Sequence, residues 1–187
     1  QVQITEDRRD YLEHLLISGE LDVALIVVSQ LQNHQALETE TILRSGWRVW
    51  FPVNHRLAVE EKIEATELAQ QSLILLQVDE LGDATTALWN AGGVDPTVLI
   101  RTSSVEAVRS LVATGAGCSV LPDMLYRPWS LEGDRIEARP LAHTLPHLEV
   151  GLAWRKGAVL PESLSNFLTA VRPTLEGHVL GGGTLLR

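Results

Sequence analysis

An eight-residue aliphatic segment places the strongest constraint on how this chain folds. Residues 21–28 read LDVALIVV, a run that is too short for most helices and too apolar for a strand wetted on one face. The segment therefore predicts a central strand of a parallel sheet. Residues 73–78, LILLQV, have the same character and predict a second buried strand.

Amphipathic segments alternate with further strand-like segments along the rest of the chain. Such alternation predicts an α/β fold with a mostly parallel sheet covered by helices on both faces. The expected helices cover residues 6–18, 65–71, 83–91, 103–115 and 161–172. The other expected strands cover residues 41–53, as one strand or two joined by a bend, 96–101, 117–121, 135–141 and 148–154.

Charge and hydropathy exclude two classes of binding partner. Lys and Arg total 15 against 24 Asp and Glu, for a formal net charge of −9, so the surface should repel phosphate backbones. No window approaches the roughly 20 apolar residues that a membrane span needs, and the first residues carry charges where a signal peptide would be apolar. We expect a cytoplasmic chain with no membrane association and no DNA binding of its own.

Cys118, the single cysteine, cannot form a disulfide within the chain. This points to a reducing compartment or to a fold that needs no disulfide. The surrounding run, GAGCSVLP, is small and aliphatic, and it predicts a buried, unreactive thiol.

Paired serines follow the strand predicted over residues 96–101. Ser103-Ser104-Val105-Glu106 has the spacing of a capping box, in which a serine hydroxyl bonds the third helical amide and Glu106 reaches back. The first amides of a helix lack internal partners and favour anions, and binding crevices of α/β sheets lie beyond the carboxyl ends of strands. The alternative is a plain helix cap that binds nothing.

Catalytic and metal-binding patterns are missing from the sequence. There is no GxSxG, GxxxxGK[ST] or HExxH motif. His143 and His147 have helical ligand spacing, but Pro146 between them would break the helix, and no further ligand type clusters nearby. We expect no catalytic residues, no metal and no cofactor.

Several motifs, taken in order, resemble the effector-binding domain of LysR-type transcription regulators. They include a helix end with the strand after it, a strand running into a His-x-Leu-Ala segment, a capped helix with its Gly-x-Gly turn, and a final Trp-Arg-Lys strand. The matching segments are SGELDVALIV (18–27), VWFPVNHRLA (49–58), LILLQ (73–77), SSVEAVRSLVATGAG (103–117), SVLPD (119–123) and GLAWRKG (151–157).

The resemblance implies two Rossmann-like lobes of the periplasmic-binding-protein type 2 kind, joined by two crossover strands. Lobe one would combine residues 1–48 with 152–180, lobe two would cover 49–151, and 181–187 would form a loose tail. In the family, a winged helix-turn-helix, a linker helix and the first strand and helix of lobe one precede this region. DNA binding would belong to that N-terminal part, which this chain does not contain.

Ligand-binding residues are implied by position in the same family. Two would face the inter-lobe cleft from lobe one, and seven would face or wall it from lobe two. Asp79 would disfavour an anion and suit a polar or cationic ligand. The residues are Val28, Ser29, Val78, Asp79, Ser103, Ser104, Val105, Leu121 and Pro122.

The implied function is sensing of a small metabolite by a transcription regulator. The resemblance also implies a homodimer or tetramer, with the helix of residues 6–18 packing on lobe two of another copy. The alternative is a solute-binding protein of a transport system on the same scaffold. An enzyme on this scaffold has no clustered acid, base or nucleophile to support it.

Overall fold

The structure is a computed structural model that describes residues 3–78, 81–143, 145–159, 162, 165–167, 169 and 170. Of residues 82–84 and 91 it describes the backbone alone. The helix predicted over 161–172 falls largely outside the described residues, and the predicted tail, 181–187, falls wholly outside them. Residues 162, 165–167, 169 and 170 are helical.

Helices and strands alternate for much of the described chain. The helices are α1 (Arg9–Ser18), α2 (Ala65–Leu68), α3 (Leu81–Gly92) and α4 (Val105–Ala113). The strands are β1 (Ala24–Val27), β2 (Leu37–Ser45), β3 (Trp47–Pro52), β4 (Ser72–Leu76), β5 (Thr97–Thr102), β6 (Ser119–Pro122), β7 (Ile136–Pro140) and β8 (Leu148–Arg155). Single 3-10 turns cover Val28–Gln30, Arg56–Val59 and Asp123–Leu125.

The chain divides into two compact units. Unit 1 comprises Gln1–Ser45 and Leu148–Arg187, and unit 2 comprises Gly46–His147. The first boundary therefore falls at Ser45 where the sequence indicated residue 48, and the second at Leu148 where it indicated residue 152. The bend expected within residues 41–53 lies at Gly46, between β2 and β3.

Unit 1 contains an antiparallel sheet in the order β1–β8–β2, with α1 packed against it. Leu12 and Leu16 on α1 join Ile26 and Val28 in its apolar core. The helix ends at Gly19, whose φ of 82° is a left-handed conformation that glycine adopts without strain. At the other end α1 begins at Arg9, three residues later than expected, and Arg8 in the N-cap position makes no side-chain cap.

Unit 2 contains the antiparallel order β6–β3–β7 and the parallel pair β4–β5. A parallel bridge between Leu73 and Cys118 joins β4 to the segment that enters β6. β3 has apolar residues on both faces. Val49 and Phe51 belong to one core cluster, while Trp50 belongs to another that includes residues of α4.

Strand direction differs from the expectation of mostly parallel sheets. Among the described strands only β4 and β5 form a parallel ladder, and β1, the aliphatic segment, pairs antiparallel with β8 at the outside of its sheet. Apolar content reports burial, not the direction of the neighbouring strand, and β8 is supplied from the far end of the sequence. The α/β class is confirmed, and the inference of direction from that segment is wrong.

Candidate functional site

The carboxyl ends of three adjacent strands meet at one edge of the unit 2 sheet. β4 and β5 run parallel and end together, with Leu76 opposite Thr102. β6 lies on the other side of β4, because Cys118 exchanges backbone hydrogen bonds with Ser72 and Ile74 at 2.9 and 2.8 Å. Residues predicted for the ligand site follow β4 and β5 directly and end β6.

The start of α4 presents the polar groups at this edge. Ser104 is the N-cap, and its hydroxyl accepts a hydrogen bond from the Ala107 amide at 3.2 Å. The Thr102 hydroxyl accepts one from the Ser104 amide at 3.1 Å and so fixes the turn between β5 and α4. The side chains of Ser103 and Ser104 are both exposed.

The predicted capping box is wrong in its second half. Because Ser104, not Ser103, is the N-cap, the third helical residue is Ala107, which has no side chain to reach back. Glu106 instead forms an ion pair with Arg109 one turn along α4. Arg109 in turn donates a hydrogen bond to the Leu125 carbonyl at 2.9 Å, so the Glu106–Arg109 ion pair stabilises the helix.

Apolar side chains form the base beneath these serines. Leu121 is buried in a core cluster against which Val78 and Val105 pack while partly buried. Pro122 is buried and ends β6. The structure therefore brings the described unit 2 residues of the prediction together at one edge, with apolar groups below and hydroxyls on the surface.

The remaining predicted residues are placed differently. Val28 is buried in the core of unit 1, so its side chain packs inward. Ser29 is exposed, and its hydroxyl accepts a hydrogen bond from the Glu149 amide at 3.1 Å. Asp79 lies outside the described residues.

An ion pair at the end of β6 was not anticipated from the sequence. Arg48 on β3 contacts Asp123 twice, with Nε–Oδ1 at 2.5 Å and Nη2–Oδ2 at 3.2 Å. The Asp123 amide also donates to the Gly46 carbonyl at 2.8 Å. Arg48 interrupts an otherwise apolar strand, and that interruption was the available signal in the sequence.

The chemistry of Cys118 matches its prediction as a buried, unreactive thiol. Burial raises the pKa of the thiol to about 11, although the Arg56 charge acts in the opposite direction. Its sulfur lies 3.9 Å from Nε2 of His55, whose pKa is lowered by burial and by Arg56. At neutral pH the pair is therefore a protonated thiol beside a neutral imidazole, with no thiolate nucleophile.

The described residues contain neither a metal-binding cluster nor a membrane-spanning helix. No three His, Cys, Asp or Glu side chains in that part of the chain are grouped as a metal ion would need. No helix within it is both long and apolar enough to cross a membrane.

Comparison with known proteins gives a consistent family. The LysR substrate binding domain family matches residues 1–176. The hydrogen peroxide-inducible genes activator of Escherichia coli O6:H1 (strain CFT073) is 27% identical over 167 residues, covering 87% of this chain and 53% of that protein. The chain thus spans about half the length of the curated relatives it matches.

Solved structures show the same fold. The C-terminal domain of a probable LysR family transcriptional regulator from Rhodococcus sp. RHA1 has a TM-score of 0.81 and 25% identity, covering 91% of this chain and 83% of that one. The effector binding domain of QuiR in complex with shikimate has a TM-score of 0.70 and 18% identity, with 92% and 80% covered. With the family matched over nearly its whole length, this chain belongs to the LysR substrate-binding domain family.

Proposed function

We propose that this chain is the effector-sensing part of a bacterial LysR-type transcription regulator, and that its effector docks against the start of α4. The observation that carries the proposal is the edge of unit 2 where β4, β5 and β6 end below the Ser104 cap. A ligand there meets helix amides without intrahelical partners, and those amides favour a carboxylate or another acceptor group. That Val28, Ser29 and Asp79 reach the same ligand stays a prediction.

Relatives support sensing over transport or catalysis. The family matched here is found in transcription regulators, and the QuiR domain with the same fold was solved with a bound small molecule. The transport alternative is therefore not favoured. We also propose that the chain has no catalytic activity of its own, and that it works in the cytoplasm, where a regulator meets DNA.

Peroxide chemistry is not proposed for this chain, despite the name of its E. coli relative. A disulfide within a chain needs two cysteines, and this chain has only Cys118. That thiol is buried, and its pKa of about 11 keeps it protonated at neutral pH. A bound metabolite is the better candidate signal.

Assembly and DNA binding complete the proposed function. We expect a homodimer or tetramer, with α1 of one chain on unit 2 of another, and DNA contact through a segment that this chain does not contain. Tyr11 supports the role of α1, since its side chain is 48% exposed on a helix that buries Leu12 and Leu16. Light scattering of Tyr11→Arg tests this. A wild-type chain that is monomeric at micromolar concentration would contradict it.

The α4 site is tested by deleting one backbone donor. Val105 is the first helical residue, where proline is tolerated, and Ser104 before it already has the extended conformation that proline requires. Val105→Pro therefore removes the amide hydrogen while keeping the Ser104 cap. Val105→Ala is the matched control, because it shortens the side chain and keeps the amide.

Calorimetry with a metabolite library would first identify an effector for the wild-type chain. We expect Val105→Pro to weaken the binding of that effector by about tenfold or more, as loss of a charge-assisted hydrogen bond does. Val105→Ala should weaken the binding much less. An effector that binds Val105→Pro as tightly as the wild type does would refute the site.

A further inference from the structure

Unit 2 contains a cavity of about 560 Å³ between α3 and the β4–β5 pair. Its walls include Leu75 on β4, Trp89 on α3, and Val98 and Arg101 on β5. The serines that start α4 and the end of β6 do not line it. Its volume is within the range of sites that bind small molecules.

An irregularity in β5 turns Arg101 toward this cavity. Leu73 pairs with Val98, but the next residue of β4, Ile74, pairs with Ile100, so Leu99 is an extra residue on β5. In a regular strand, residues three apart lie on opposite faces. The bulge cancels that alternation, and Val98 and Arg101 share the face that lines the cavity. Bulges commonly redirect a side chain next to a functional site.

Trp89 contributes an aromatic ring to the same walls. Its side chain is only 6% exposed, and its indole Nε1 forms no hydrogen bond with any described residue. Because Nε1 has almost no accessible surface, a ligand in the cavity meets the apolar atoms of the Trp89 ring and not its N–H group.

Opposite charges line the cavity without being paired to the described part of the chain. The Arg101 guanidinium and the Asp95 carboxylate are both wall residues, and neither forms an ion pair within the described ranges. Leu75, Val98 and the Trp89 ring add apolar atoms to the same walls. A ligand that matches this surface carries both charges on an apolar body.

We propose that this cavity is a second ligand site, separate from the α4 edge, and that it binds an α-amino acid with an apolar side chain. Arg101 receives the ligand carboxylate, and Asp95 receives its ammonium group. A planar guanidinium is well suited to hold a carboxylate by two parallel hydrogen bonds. The side chain of the amino acid then covers Leu75 and Val98.

The test compares ligands that differ by one charge. L-phenylalanine and L-leucine are titrated into the purified chain by calorimetry at neutral pH, beside 3-phenylpropionate, which lacks the ammonium, and phenethylamine, which lacks the carboxylate. We expect an apolar amino acid to bind, and each single-charge analogue to bind on the order of tenfold more weakly. The absence of binding by every apolar amino acid at millimolar concentration would overturn the proposal, as would equal binding of the analogues.

Variants then locate the binding. Arg101→Gln should weaken amino-acid binding by at least about tenfold, whereas Trp89→Phe, which keeps an aromatic ring against the cavity, should bind within about twofold of the wild type. Arg127→Gln is the matched control, because Arg127 is exposed and, within the described part of the chain, donates to the neighbouring Tyr126 carbonyl alone. Thermal melts establish that each variant is folded, and the indole N–H resonance of Trp89, assigned with Trp89→Phe, should shift on binding.

The same variants separate this site from the α4 site. Val105→Pro should leave amino-acid binding unchanged, and Arg101→Gln should leave effector binding at α4 unchanged. If Val105→Pro weakens the amino acid and Arg101→Gln does not, the amino acid occupies the α4 edge and the second site is refuted. Failure to find any effector for α4 would leave the amino-acid result intact.

Discussion

Replacing Glu13 by alanine should destabilise unit 1 more than any surface substitution on α1. Glu13 is 1% exposed, and its carboxylate pairs with Arg9 one turn earlier, itself only 6% exposed. The same carboxylate accepts hydrogen bonds from the Asn33 amide at 3.0 Å, the Asn33 side chain at 2.7 Å and the Gln32 amide at 3.3 Å. One side chain thus ties α1 to the loop that follows β1.

The expected loss of unfolding free energy depends on the buried donors that lose their acceptor. Glu13→Ala removes the carboxylate partner of a buried guanidinium and the acceptor of three further donors. Breaking a buried ion pair by removing one partner typically costs about 3–5 kcal/mol of unfolding free energy. Glu13→Gln keeps the volume and one acceptor oxygen, so we expect a smaller loss of about 1.5–3 kcal/mol.

The effect of Glu13 should also depend on pH. Burial alone would raise the pKa of its carboxyl group, but hydrogen bonds from Asn33, Gln32 and Arg9 outweigh burial and lower the pKa below the ordinary value of 4.5. A carboxyl whose folded pKa is depressed adds stability that is fully present above the ordinary value and is lost as pH falls through the folded one. The difference in unfolding free energy between the wild type and Glu13→Gln should therefore be constant near neutral pH and shrink below pH 4.5.

Urea unfolding monitored by circular dichroism measures these free energies. Asp10→Ala is the control, because Asp10 lies on the same helix but pairs with Arg8 at the surface, where such pairs contribute about 0–1 kcal/mol. A Glu13→Ala loss no larger than that of Asp10→Ala would refute the reasoning. A gap between the wild type and Glu13→Gln that widened on acidification would refute the sign of the pKa shift.

Three further predictions concern unit 2. Cys118 should react with Ellman's reagent at neutral pH only at the rate of unfolding, because its pKa is about 11 and its side chain is buried; rapid labelling of the folded chain would contradict this. Gly117→Ala should cost about 1–3 kcal/mol of unfolding free energy in urea, since a Cβ there would lie 2.5 Å from the Ser72 carbonyl oxygen. Gly46→Ala should be neutral, because a Cβ there would have nothing within 4 Å. Equal losses for the two variants would contradict the packing. Tyr126→Phe should lose about 0.5–1.5 kcal/mol, because its hydroxyl donates at 2.9 Å to a β7 carbonyl; an unchanged midpoint would show that water replaces this bond.

Local patterns predicted most element positions in unit 2 well. β4 begins and ends within two residues of the expected 73–78, and α4 follows β5 at the predicted serines. These elements depend on residues that are close in sequence: an aliphatic run in one case, and a cap followed by an amphipathic stripe in the other. The N-terminal end of α1 was misplaced by three residues, because the helix begins at Arg9 without a side-chain cap that would mark its start in the sequence.

Features that depend on distant partners were beyond the sequence. The aliphatic run of residues 21–28 indicated burial, but its antiparallel partner β8 begins 120 residues after it ends (148 − 28). The bulge at Leu99 depends on how β5 pairs with β4, and nothing in TVLIRT marks it. Without the bulge, alternation would place Arg101 on the opposite face from Val98, so the cavity could not have been foreseen.

The candidate site residues also divide into those that a local pattern predicts and those that depend on the rest of the fold. The Ser104 cap was predictable because it obeys a local rule, whereas Leu121 and Pro122 were named from the family resemblance and lie at the end of β6. Glu106 was misassigned because moving the N-cap by one residue changes which side chain can reach back. Val28 follows β1 as the sequence predicted, but the sequence did not show that its side chain packs into the core of unit 1.

The boundary between the units has a consequence for how the chain can be cut. Ser45 and Leu148, the two residues that flank unit 2, are direct partners in the antiparallel β2–β8 ladder. In topology, β2 and β8 of unit 1 are therefore the two strands of a β-hairpin. The turn that would join them is replaced by the whole of unit 2. A two-residue Asn-Gly turn closes such neighbouring strands. Joining Ser45 to Leu148 through that turn would restore a simple hairpin, and the excised segment 46–147 would be one uninterrupted chain.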